Sequence, residues 1–431
     1  MPKRESVKKE KRIEPKLPSG FRDYGPRDAI ARQKMIETIR TTFERFGFDP
    51  METPAVERTE VLTGGEATAG KIIFGVKGSE EKEEDPDGRA SKSLRFDLTV
   101  PLARFLAANP DIPKPFKRYQ IGNVWRGERP QAGRFREFMQ ADVDIVGSKS
   151  MDADAEVIAV MYDALRAAGL ERFQINVNFR DEAFALMENF GIPAEKRIIT
   201  LIAVDKKDKL KSGAWQEEVG RASGLAKDVL EKYIAGLLGG GKSENAEALF
   251  LRVAALGLPE GIIRYNPAMV RGLAYYTGMI FEVILSDAPD IGSVSSGGRY
   301  DGLTARFSPL DLPAVGASIG VDRLFAALEK LGKIQEKETN TQTLILNLME
   351  GEGEYTKIAR ELRGAGIATA IYLGDDRAFQ AQLAYAVRKG IPYVIIYGEE
   401  EKKRGVVQIK NLATREQREV AREKIVEYFR K

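Results

Sequence analysis

Apolar positions recur along this chain in two rhythms, one of three and four residues and one of two, and their succession sets out its elements. From about Asp28 to Phe46 the residues Ile36, Ile39, Phe43 and Phe46 fall three or four apart, which predicts a helix with one buried face. Gly47 is placed to end it, being free to take positive φ. Phe48 to Pro54 then reads as extended. Glu80 to Ser93 is polar, with Pro86 and Gly88, and reads as an exposed loop before an apolar strand-and-turn pattern over Leu94 to Pro101. Residues 114–147 predict two antiparallel strands around a turn at Pro130-Gln131-Ala132-Gly133. Helical spacing dominates Asp152–Gly169 and most of 181–256, with a break at Gly239-Gly240-Gly241. Strands are expected at 279–285 and 314–320, then a helix over Val321–Leu331.

Gly332 to Gln342 is polar and almost without apolar residues, the composition of a linker. Beyond it TLILNL, ATAIYL, PYVIIYG and GVVQIKNL predict four short strands, with helices between the first three and after the last. Gly351–Gly366 and Phe379–Ala386 are two of those helices. This is the rhythm of a compact α/β domain. No repeat at solenoid periods is present.

The strand pair in 114–147 carries chemistry. Side chains alternate between the faces of a strand, so Met139, Ala141, Val143 and Ile145 share an apolar side and Gln140, Asp142 and Asp144 share the other. By the same parity Arg118, Gln120, Arg126 and Glu128 fall together. Two readings are open: a sheet with one solvated face, or a surface of guanidinium and carboxylate groups able to hold a zwitterion and a polyphosphate.

Composition narrows the chemistry. The 431 residues allow two or three domains, and a net charge of +3 marks no overall affinity for nucleic acid. The amino-terminal MPKRESVKKEKRIEPK is charged, reads as a disordered basic arm over residues 1–17, and has no secretory core. Its roles could be solubility or weak contact with RNA phosphate. No run approaches the roughly 20 apolar residues of a membrane helix, so a cytoplasmic chain without membrane contact is expected. The chain has no cysteine and no histidine, which excludes thiolate nucleophiles, Ser–His triads and imidazole bases or ligands. Carboxylates, Arg, Lys, Tyr and backbone donors remain, a set suited to reactions on ATP, where positioning and charge neutralisation supply most of the catalysis.

Trp125-Arg126-Gly127-Glu128 and, after the turn, Arg134-Phe135-Arg136-Glu137-Phe138 resemble motif 2 of class II aminoacyl-tRNA synthetases. Phe48-Asp49-Pro50-Met51-Glu52-Thr53-Pro54 resembles motif 1, and Ala314 to Leu324 (AVGASIGVDRL) resembles motif 3. The resemblance implies that Arg126 binds the α-phosphate of ATP and Phe138 stacks on adenine, with Glu128 in the same ATP site. Arg323 would hold the γ-phosphate, and Pro54 would lie at the interface of a homodimer. Met269 to Gly278 (MVRGLAYYTG) and Ser295 to Leu303 (SSGGRYDGL) resemble the two histidine motifs of histidyl-tRNA synthetases. With Arg95-Phe96-Asp97-Leu98-Thr99 they imply a histidine pocket. In it Asp97 and Thr99 hold the α-amino group and Gln140 the carboxylate, while Asp144, Tyr275, Tyr276 and Tyr300 surround the imidazole. Arg271 would belong to the histidine pocket and also reach the α-phosphate opposite Arg126, and both arginines, with Gln140, form the expected catalytic group. Gln131 would touch the tRNA acceptor end. The family's usual Arg-Gly-Leu-Asp-Tyr-Tyr is broken here by Ala274, which is expected to slow turnover without abolishing it.

The resemblance covers about residues 17 to 431 and implies an α+β fold. A class II catalytic core on an antiparallel sheet, residues 18–331 with a helical insertion at about 181–258, would be followed by a linker at 332–342 and an α/β anticodon-binding domain at 343–431. The implied reaction joins L-histidine to tRNA(His), with ATP and Mg²⁺ as cofactors. Two other readings share the fold: a histidine-binding regulatory paralogue of histidine biosynthesis, and a catalytically silent sensor.

Overall fold

The computed structural model describes residues 13–64, 73–78, 90–128, 135–207, 210–239, 242–269, 276–309, 311–335, 337–349 and 353–430. They form two compact units, one from 13–22 and 36–333 and one from 23–35 and 334–430. Among the described residues no helix is long and apolar enough to cross a membrane.

The strands of the first unit are β1 (Asp49–Pro50), β2 (Val56–Arg58), β3 (Gly75–Val76), β4 (Lys92–Leu94), β5 (Phe116–Trp125), β6 (Glu137–Val146), β7 (Phe173–Phe179), β8 (Ile263–Tyr265), β9 (Met279–Leu285), β10 (Ser293–Arg299) and β11 (Ala314–Gly320). Eight of them make one sheet in the order β1-β5-β6-β11-β10-β9-β7-β8. Only the end pairs, β1 with β5 and β7 with β8, are parallel. The long β5–β6 hairpin pairs Arg118 with Asp144, Gln120 with Asp142 and Gly122 with Gln140. On its other side β6 meets β11, so that Asp144 faces Gly316 and Asp142 faces Ser318.

The apolar side of this sheet is covered by the helix Met151–Ala167, whose Val157, Ile158, Met161 and Leu165 are buried. Spacing of three and four puts these on one face, each worth roughly 1.5–3 kcal/mol of burial. Ser150 caps the helix by accepting from the Asp152 N–H at 3.1 Å. Buried Asp154 in its first turn pairs with Arg299 at 2.5 Å. The helix Val321–Lys330 continues directly from β11, with Val321, Leu324, Phe325 and Leu328 turned inward.

The amino-terminal helix runs Pro26–Arg45, and Gly47 follows at φ 74°. Its buried face is Met35, Ile39 and Phe43, while Ile36 and Phe46 are half-buried. The expected stripe therefore shifts at both ends, because Phe46 lies beyond the last turn and Phe48 takes the core position. Residues 80–89 of the expected polar loop lie outside the described set; its end at Ser93 is corrected, since Ser93 is buried in β4 between β2 and β3. Leu94–Pro101 is likewise corrected: a helix starts at Thr99, and Pro101 fits its first turn, where no N–H is needed.

Among the described residues of 180–255 there are five helices: Arg180–Asn189, Ala194–Val204, Ser212–Ser223, Lys227–Gly239 and Glu244–Ala255. The first four share a core around Met187, Val204, Trp215, Val219 and Tyr233. The fifth lies against Met151–Ala167 and β7, and its Arg252 binds Asp152 at 2.8 Å.

The second unit holds β12 (Thr343–Ile345), β13 (Thr369–Ile371), β14 (Tyr393–Ile396), β15 (Val406–Asn411) and β16 (Gln417–Ala421), in the order β13-β12-β14-β15-β16. The last strand and the helix Glu399–Arg404 are additions to the four-strand expectation, hidden by their charged composition. Ile345, Ile395 and Ile409 pack with Ile358 and Leu362 on one face, and Leu344 and Val394 with Ala386 on the other. Both faces are buried, which explains the near-continuous apolar strands.

Candidate active site

The polar face of β6 is not solvated. Arg118, Gln140, Asp142 and Asp144 are all at or below 8% exposure, and Arg118 is at 0%. This excludes the reading of a sheet with one wet face. Such a concentration of buried charge is costly unless each group is paired or awaits a partner.

Gln140, Asp142 and Asp144 floor a cavity of about 240 Å³, small among ligand pockets. Asp97 and Thr99 form one wall, Tyr276 and Tyr300 another, and Arg126 stands with them. Seven of the expected site residues thus meet in one place: Asp97, Thr99, Arg126, Gln140, Asp144, Tyr276 and Tyr300. Arg271, Tyr275 and Gln131 lie outside the described residues, as does Ala274. A larger cavity, about 390 Å³, opens in the second unit between Tyr355, Ile371 and Arg377 and holds none of the motif residues.

Arg118, behind the cavity, joins the Asp97–Thr99 wall to the floor. Its Nη2 lies 2.6 Å from Asp144 and donates to the Leu98 carbonyl at 3.1 Å. Leu98 sits between Asp97 and Thr99, so one guanidinium ties that segment to β6. Asp144 also accepts the Tyr300 hydroxyl hydrogen bond. Burial pushes the Asp144 carboxyl up, and Arg118 and Tyr300 oppose the rise. Asp97 Oδ1 accepts from the Val100 N–H at 3.1 Å, satisfying one free donor in the first turn of the helix Thr99–Ala108, while Oδ2 has no partner. Burial lifts its carboxyl to about 6, against the pull of Arg126 and Arg118. Asp142 is lifted by burial to about 7. Gln140 donates to Ser318 at 2.7 Å, leaving its Oε1 unpartnered.

Arg126 leaves β5 just past its last residue. Its Nε donates to the Phe96 carbonyl at 3.1 Å, and its guanidinium lies 5.0 Å from the Phe138 ring centre. Phe138 shares the face of Gln140 by strand parity. Arg323 donates to the Ser293 carbonyl at 2.5 Å. Neither Arg323 nor Glu128, whose side chain is exposed, lines the small cavity. Arg95 turns the other way, to the Thr53 carbonyl at 2.6 Å and the Asn123 carbonyl at 2.9 Å, and fastens the segment before Pro54 to β5.

Glycines allow this packing. A Cβ on Gly316 would stand 1.9 Å from Asp144 Oδ1 and 2.8 Å from the Val143 carbonyl; one on Gly298 would stand 2.6 Å from the Met279 carbonyl and 2.9 Å from the Tyr276 ring. Both positions therefore exclude side chains. Sequence reasoning read Ser295–Leu303 as a motif and missed that its first half is β10, because small residues carry little strand propensity. It set Arg118 and Asp142 on the polar face without a role. The β5–β6 register was the available signal, but parity cannot say which face is buried.

Fold and site together define a class II synthetase core accompanied by an anticodon-binding domain. A family model described as histidyl-tRNA synthetase matches residues 20–324, and one described as anticodon binding domain matches 342–431. Histidine–tRNA ligase of Wolinella succinogenes is 38% identical, over 94% of this chain and 96% of its own. That of Rhodopirellula baltica is 38% identical, over 95% and 96%. The histidyl-tRNA synthetase structure from Nostoc sp. PCC 7120 superposes with a TM-score of 0.84 at 29% identity, covering 97% of this chain and 99% of that one. This chain belongs to the histidyl-tRNA synthetase family, and membership implies the use of ATP.

Proposed function

We propose that the chain is a histidine–tRNA ligase, which activates L-histidine with ATP and transfers it to tRNA(His). The observation that carries this reading is the convergence of Asp97, Thr99, Gln140, Asp144, Tyr276 and Tyr300 on one cavity with Arg126 beside it. An imidazole needs polar partners for two nitrogens; the Asp144 carboxylate and the tyrosine hydroxyls supply them. Asp97 and Thr99 receive the ammonium group and Gln140 the carboxylate.

In the first step a carboxylate oxygen of histidine attacks the α-phosphorus of ATP, the bond to pyrophosphate breaks, and histidyl-adenylate forms. Arg126 neutralises charge developing on the α-phosphate, with Arg271 opposite and Arg323 on the γ-phosphate. Phe138, already under the Arg126 guanidinium, offers its ring to adenine, and Glu128 belongs to the same ATP site. In the second step a ribose hydroxyl at the tRNA end attacks the acyl carbon and AMP leaves, its phosphate oxygen accepting the proton. No imidazole base is required, in keeping with a chain that has no histidine.

Magnesium enters with ATP as part of the substrate. Among the described residues there is no group of three or more acidic side chains fit to hold a metal alone, and Mg²⁺ commonly relies on one or two carboxylates plus phosphates. The same reading gives the core to residues 18–331, the anticodon-binding role to 343–431, the acceptor-end contact to Gln131, a homodimer through the exposed Pro54 segment, and a cytoplasmic location.

ATP–pyrophosphate exchange measured with each amino acid in turn tests the activation step. Exchange with histidine alone is the expected result. Histidine binding without exchange would overturn the ligase reading in favour of the regulatory paralogue.

A further inference from the structure

The cavity floor holds a carboxylate to which the reading above gives no task. Asp142 stands on β6 midway between Gln140 and Asp144, and alternation sends all three side chains from one face. Gln140 is assigned the substrate carboxylate and Asp144 the imidazole. The carbon bearing the ammonium group lies between those two ends of histidine. Asp142 lines the cavity, is 3% exposed, and leaves Oδ1 without a hydrogen-bond partner. A buried carboxylate oxygen in that state demands a reason.

The surrounding charges give one. Arg118 faces Asp142 from β5, Asp144 from its own strand, Asp97 from the segment before Thr99, and Arg95 from the segment after β4. Arg118 is engaged by Asp144 and the Leu98 carbonyl, and Arg95 by the carbonyls of Thr53 and Asn123. Asp144 is paired with Arg118 behind the cavity, which leaves Asp97 and Asp142 with Arg126 among the lining groups. When both carboxyls are ionised one negative charge is in excess, and a ligand bringing a cation balances it. Ser318, opposite Asp142 on β11, accepts from Gln140 and so has its own hydroxyl proton to aim at Asp142.

We infer that Asp142 is a further substrate-binding residue, whose carboxylate receives the ammonium group of histidine together with Asp97. This rests on the histidine reading of the cavity. Burial holds Asp142 at about 7 and Asp97 at about 6, so near neutral pH an arriving ammonium displaces a proton from the pair.

Two ligands separate the ends of the substrate: histidinol keeps the ammonium and lacks the carboxylate, and imidazolepropionate keeps the carboxylate and lacks the ammonium. Their affinities are measured by calorimetry on the full chain, its Asp142→Asn form and its Asp142→Ser form. Histidinol should weaken by about tenfold or more in both variants, roughly 1.4 kcal/mol, with imidazolepropionate nearly unchanged. Equal weakening of both ligands, or of neither, overturns the inference. If both variants fail to fold, the unaltered chain can still overturn the inference. Acidification from pH 8 to 6 should weaken histidinol relative to imidazolepropionate, since protonation removes the anion that the ammonium needs, and a constant ratio overturns the proposal. Histidine-dependent exchange by the unaltered chain keeps this outcome apart from failure of the ligase reading.

Discussion

Arg118 shows how much one side chain can organise. It is wholly buried, and Nε and Nη1 have no hydrogen-bond partners, yet it holds both Asp144 and the Leu98 carbonyl. Replacing it leaves Asp144 as an unpaired buried anion, which typically costs about 3–5 kcal/mol. Arg118→Met should therefore lose stability on that scale in urea denaturation and raise the KM for histidine. A loss below about 1 kcal/mol would mean that Asp144 finds its charge balance elsewhere. The two strand residues flanking this chemistry were visible as a parity pattern. Their burial was not, because alternation specifies sidedness and says nothing of what covers each side.

At the scale of elements, β6 is held between two unlike neighbours. β5 supplies long polar side chains, and β11 supplies glycine and serine so that those side chains have room. The helix that follows β11 returns to the same strand: Asp322 in its first turn accepts from the Met139 N–H at 2.6 Å. Motif 2 and motif 3 are thereby one structural unit, although 183 residues separate the two partners. Gly316→Ala would press a methyl group on Asp144 and on the Val143 carbonyl. Overpacking of this kind costs about 1–3 kcal/mol. Spent at Asp144, it should raise the KM for histidine by about tenfold, with the KM for ATP nearly unchanged, in pyrophosphate exchange. Equal changes in both would place the strain outside the histidine end of the site.

At the scale of the molecule, buried acids make stability depend on pH. Asp97 and Asp142 titrate at about 6 and 7 in the fold, above the 3.8 of an unperturbed aspartate. A raised carboxyl favours the folded state when protonated, so its contribution is complete below about pH 4 and is lost as pH rises through 6 to 7. Glu37, Asp152, Glu171, Asp290 and Glu354 shift the opposite way in exposed ion pairs, where solvent leaves little effect. Without ligand, Asp142→Asn should melt higher than the unaltered chain at pH 8, with the gain shrinking towards pH 5. A gain that stays constant over that window would show that Asp142 does not change protonation there. Such a trade, stability given up for a charged pocket, is expected of a site built to receive a zwitterion.

The two architectures, their order and most of the motif positions were legible in the chain alone. Apolar period, glycine placement and three ordered motifs are local properties, and local geometry follows from them. The strand 279–285 and the α/β rhythm after residue 342 are cases where period suffices. Gln417–Ala421 is a case where it fails, since an outer strand can be all charge and polar surface. What only the tertiary structure decided is which polar residues lose water. Arg95 and Arg118 look alike in the sequence and both are buried, yet one ties the Thr53 segment to β5 and the other is held by Asp144 and the Leu98 carbonyl. Desolvation depends on residues more than a hundred positions away, and it is desolvation that turns Asp97, Asp142 and Asp144 from surface charges into the buried lining of a cavity.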